Sequence, residues 1–87
     1  KSEFILQFRT VSGDNNITSE YNKIIASYAK SSTLLHSEAS VDGATIKVSF
    51  DIVMKEDMKQ DELISKISNI KGLTEVVLIA AKSDVDY

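Results

Sequence analysis

Residues Glu3–Val11, EFILQFRTV, alternate in polarity. Phe4, Leu6 and Phe8 fall on one face, and Ile5, Gln7, Arg9 and Val11 on the other. That period of two predicts a half-buried strand. Ser12–Asn16, SGDNN, is a cluster of turn-forming residues and reads as a loop. Thr18 is placed to cap a helix, with Ile17 as a hydrophobic staple and Glu20 in the first turn. Tyr21, Ile24, Ile25, Tyr28 and Ala29 then recur at helical spacing and form one apolar stripe.

Asp42-Gly43 predicts a two-residue type I′ hairpin turn, because that turn needs positive φ at both central residues. Stepping outward, Ala39 faces Ile46, Ser37 faces Val48, Leu35 faces Phe50 and Thr33 faces Ile52 on a mostly apolar side. The other side pairs Ser40 with Thr45, Glu38 with Lys47, His36 with Ser49 and Leu34 with Asp51. This register gives one apolar face, one polar face and an opposite-charge pair. Beyond Met54, Leu63, Ile64, Ile67 and Ile70 form a second helical stripe. Asp61 and Glu62 sit in its first turn, Lys71 in its last, and Gly72 at the C′ position. Thr74–Ala81 is a strand apolar on both faces, and the polar tail Lys82–Tyr87 is expected to fray.

The order is βαββαβ. The expected fold is α+β, a ferredoxin-like sandwich. Its four-stranded antiparallel sheet has order 4-1-3-2, with two helices on one face. If Val76, Leu78 and Ala80 face those helices, Val77 and Ile79 face away, with Ile5 beside them, Val53 on the third strand and Leu34 on the second. An uncovered apolar cluster of this kind marks a contact surface, so these five residues are the expected interface.

The chain has 87 residues, enough for one domain over residues 1–87. It opens on Lys1 and enters a strand at once, which is read as a module cut from a longer protein. Net charge is −3, against the basic face of a general nucleic-acid binder. The open-face positions Ile5, Gln7, Arg9, Lys47, Ser49 and Asp51 also offer no ring on which a base could stack. The chain contains no cysteine, which excludes disulfides, CxxC metal clasps and thiol nucleophiles. No run reaches the ~18 apolar residues of a membrane span, so no direct insertion is expected. His36, the one histidine, would face Ser49 and lie near Glu38, but on a flat exposed face. Active sites are concave, and no catalytic role is assigned. No cofactor is expected.

Ser12, Gly13, Asp14, Asn15 and Asn16 form the candidate ligand loop. Gly13 allows unusual backbone angles, and the helix that follows presents free N–H groups to an anion. Asp14 and the asparagines add oxygens for a hard cation. The acidic stretch Glu56, Asp57, Asp61 and Glu62 reads as a solvated helix entrance, and no metal is assigned.

The chain resembles an ACT-like regulatory domain, and the specific stretch is Ala44–Ala80. It is similar to the second half of soluble C-terminal domains on bacterial membrane proteins, including magnesium-stress-associated and uncharacterised families. There a strand leads into an acidic Asp-Glu-Leu helix and then a Gly-Leu-x-x-Val return strand, matched here by Asp61, Glu62, Leu63, Gly72, Leu73 and Val76. The Asp-x-Pro-Gly loop of the amino-acid-binding type is replaced by Ser12–Asn16. The resemblance implies a regulatory domain that dimerises through sheet edges or faces, on the cytoplasmic side of a bacterial membrane protein. The expected function is non-enzymatic: self-association as a homo-oligomer, or docking of a partner in the parent protein. The alternative is a sensor that binds a small-molecule effector or a divalent cation at the first loop.

Overall fold

The computed structural model describes residues 3–81. Within them the elements run β1 (Glu3–Val11), α1 (Asn15–Tyr28), β2 (Ala29–Ala39), β3 (Thr45–Met54), α2 (Gln60–Ser68) and β4 (Leu73–Ala80). The fraying expected of residues 82–87 concerns positions outside this range. The fold is α+β, with one four-stranded antiparallel sheet and two helices, compatible with a ferredoxin-like sandwich. The strand order is β2-β3-β1-β4, which from the other edge reads β4-β1-β3-β2.

The alternation in β1 sets the two faces. Leu6 and Phe8 are fully buried, as is Ile52 on β3, and all three join Val48, Phe50 and Met54 beneath the helices. From α1, Tyr21, Ile25 and Tyr28 enter this core, and Leu63 and Ile67 enter it from α2. Phe8 anchors the centre, edge-on to Tyr21 at 4.9 Å between ring centroids and stacked on Phe50 at 6.1 Å.

α1 starts earlier than the Thr18 cap implied. Asp14 is the N-cap, and its Oδ1 accepts from Asn16 N at 3.0 Å and Ile17 N at 3.2 Å. An aspartate is a better cap than a threonine, and Thr18 instead donates its hydroxyl to the Asp14 carbonyl at 3.2 Å. The helix ends at Tyr28. Ala29, expected to close its stripe, is already extended and begins β2 without a loop. α2 ends at Ser68, so Lys71 and Gly72 lie outside it, and Lys66 is the basic residue of its last turn. Gly72, at φ +101, is the third residue of a turn in which Leu73 N donates to Ile70 O at 3.2 Å. A type II turn requires that positive φ.

The hairpin turn also departs from expectation. Gly43 has φ +74, but Asp42 is not among the positive-φ residues. Gly43 N donates to Ser40 O at 2.9 Å, a type I turn followed by a left-handed glycine, inside the five-residue loop Ser40–Ala44. The side chains favour this geometry. Asp42 Oδ1 accepts from Ala44 N at 3.0 Å and from Ser40 Oγ at 2.8 Å, and Ser40 Oγ accepts from Thr45 N at 3.1 Å.

Pairs from Ala39 with Ile46 to His36 with Ser49 follow the expected register; further along it slips. Leu34, not Leu35, faces Phe50, and Thr33 faces Asp51. The cause is a length mismatch. β2 takes ten steps from Ala29 to Ala39, while β3 takes eight from Met54 to Ile46. α1 holds one end of β2 and the turn holds the other, so the two surplus residues are absorbed as bulges at Lys30 and Leu35. Each bulge reverses the alternation beyond it. A third irregularity lies in β4 opposite Gln7–Arg9, where Glu75 takes φ +57 and Leu73 is returned to the core.

Candidate interaction surface

Both helices join one core against the even-numbered side of β1 and β3, which leaves the odd-numbered side uncovered. This open face divides along the strands. At one end Ile5 pairs with Ile79 on one side and Asp51 on the other, with Val77 opposite Gln7 and Val53 opposite Glu3. Val77 is 42% exposed and Ile79 51%, while Ile5 and Val53 are half-buried. Four of the five expected interface residues therefore share one patch. Leu34 does not belong to it. The Leu35 bulge turns Leu34 to the helix side opposite Phe50, where it walls a cavity of about 370 Å³ with Thr18, Tyr21, Asn22 and Ser37.

The other end of the face is polar. Gln7 Nε2 donates to Ser49 Oγ at 3.0 Å across β1 and β3. Arg9 is held from two sides, its Nε donating to Glu75 Oε2 and one Nη1 hydrogen to Thr45 Oγ1, both at 3.1 Å. The β4 bulge brings Glu75 to Arg9; a strand of uniform period gives no sign of it. His36 lies 3.3 Å from Glu38 along its own strand, and the Ser49 hydroxyl is engaged with Gln7. His36 and Glu38 are exposed while Ser49 is buried, and among the described residues no hydrogen bond joins Ser49 to His36.

The first loop is built largely for its own helix. Gly13 has the positive φ, +72, that its residue type permits. Asn15 and Asn16 are the first residues of α1, and the Asp14 carboxylate is committed to the cap. Ser12 N donates to Ala44 O at 3.0 Å, tying the loop to the hairpin, while Ser12 Oγ is buried without a protein partner. Among the described residues there is no group of three or more metal-ligating side chains positioned to hold an ion. Also among them, no helix is long and apolar enough to cross a membrane.

No family model matches this chain, and no curated protein matches it at a significant level.

Proposed function

We propose that this is a non-enzymatic assembly or regulatory domain that associates with a second copy of itself through the open face of its sheet. The observation that carries this reading is the contiguous patch of Ile5, Val77 and Ile79, with Val53 at its margin, on the side away from both helices. About half of the Val77 and Ile79 side chains remains accessible. Covering them contributes about 1 kcal/mol each, since full burial of such a side chain is worth roughly 1.5–3 kcal/mol. Symmetry doubles the sum, and the entropy of association removes most of it. The expected result is a weak dimer with a Kd no tighter than about 1 mM, suited to a module whose local concentration a parent protein raises. The placement of that parent as a bacterial membrane protein rests on the Ala44–Ala80 resemblance alone.

Ile79→Lys tests the reading. It sets a charge in the patch without touching the core, so sedimentation should shift towards monomer with the melting temperature nearly unchanged. A wild-type domain that stays monomeric at millimolar concentration, or an Ile79→Lys dimer as tight as wild type, would refute it.

A further inference from the structure

The polar end of the open face holds two cations in an unusual relation. Arg9 and Lys47 are direct cross-strand partners on β1 and β3, pointing to the same side. Like charges so placed repel unless an anion lies between them. Glu38 is opposite Lys47 in register, yet its carboxylate lies at His36 Nε2, 3.3 Å away. The Lys47 ammonium has no ion-pair partner among the described residues. Arg9 is oriented by Glu75 and Thr45, and these contacts use two of the five guanidinium N–H groups, leaving three. Its side chain is 29% exposed, so its direction is fixed while one edge faces outward. Arg9, Lys47 and Glu38 line one open cavity of about 400 Å³, closed on the hairpin side by Ser40 and Val41.

We infer that Arg9 and Lys47 form a binding site for a carboxylate of a small ligand, with the two cations bridged by its oxygens. The guanidinium fork presents paired N–H groups to a planar carboxylate, and the ammonium supplies a point charge from the neighbouring strand. Local charge selects a singly charged group. Glu75 offsets Arg9 and Glu38 shares the lining with Lys47, so the four side chains sum to no net charge, and a dianion would be repelled more than a monoanion. The site is distinct from the apolar patch and does not depend on self-association.

The test is an NMR titration of the full chain with sodium acetate and, separately, inorganic phosphate at constant ionic strength. The Arg9 Nε–H and the amides of β1 and β3 are followed. Acetate should give saturable shifts with a Kd of about 1–10 mM. Lys47→Gln removes a side chain that holds nothing else in place, and should weaken binding about tenfold, as loss of one charge-assisted contact does. Glu38→Gln should leave binding intact or tighten it. Ile79→Lys should bind acetate like wild type, which separates this site from the association surface. Linear, unsaturated shifts, unchanged affinity in Lys47→Gln, weaker binding in Glu38→Gln, or phosphate binding tighter than acetate would each overturn the assignment.

Discussion

Gly72 offers the sharpest test of how the sheet is closed. It sits at φ +101, and a Cβ there would lie 2.7 Å from Ile17 Cδ1 and 3.4 Å from Val11 Cγ2. Gly72→Ala therefore carries two costs. The backbone cost of a left-handed L-residue is about 1–2 kcal/mol. The steric cost is smaller than the overlap implies, because Ile17 Cδ1 ends a flexible, half-buried side chain that can swing aside. Displacing it from a preferred rotamer costs about 1 kcal/mol. The sum is about 2–3 kcal/mol, or a fall of about 10–20 °C in Tm for a domain of this size. Gly43→Ala is the control. Its φ is +74, but nothing lies within 4 Å of the new methyl, so only the backbone cost of about 1–2 kcal/mol applies. Calorimetry on the two variants separates strain from crowding. Equal melting temperatures would refute the close approach of Ile17 to the α2–β4 turn.

Asp14→Ala removes the acceptor for Asn16 N and Ile17 N and should lower stability by about 1 kcal/mol in urea titration, against almost nothing if Thr18 were the cap. The Asp42 carboxyl is held below its usual value of 3.8, chiefly by the Ala44 amide and then by the Ser40 hydroxyl. Its folded value is depressed, so its contribution is present above the unfolded pKa and lost as pH falls through the folded one. Melting curves of wild type and Asp42→Asn should therefore converge below pH 3.8 and separate above it.

Regular periods made most of this fold legible in the sequence. Alternation from Phe4 to Phe8 placed β1 and its core side, and the stripe of Tyr21, Ile25 and Tyr28 placed α1. The phase of β4 was also readable, because Val76 and Leu78 pack on the core while Val77 and Ile79 do not. Most of the features that escaped are insertions into a period. The Leu35 bulge arises because β2 is anchored at both ends over a longer path than β3, a constraint visible only once α1 is known to run straight into β2. It moved Leu34 from the expected interface to the helix side. The Glu75 bulge is equally silent, since a glutamate is an unusual choice for φ +57. The Arg9 contact that follows from it could not be read beforehand. The turn differs for another reason: Asp-Gly suits type I′, but Ser40 and Asp42 supply hydrogen bonds that favour type I.

The two edges of the sheet bear on where a partner would sit. A sheet with one solvated face places polar residues outward, and an exposed edge is normally blunted by charges or bulges. β2 obeys both rules. Its outward positions are Ser31, Thr33, His36 and Glu38, and bulges at Lys30 and Leu35 interrupt its free edge. β4 obeys them only at its start, where the Glu75 bulge lies. From Val76 to Ala80 it carries no charge, and it turns Val77 and Ile79 to the uncovered side beside Ile5. Weak core packing cannot account for this, because the helix side of β4 is already supplied by Leu73, Val76 and Leu78. A solvated β4 would tolerate threonine or lysine at positions 77 and 79 at no cost to that core. The asymmetry between the edges favours contact on the β4 side of the face and leaves the Arg9–Lys47 end open to solvent.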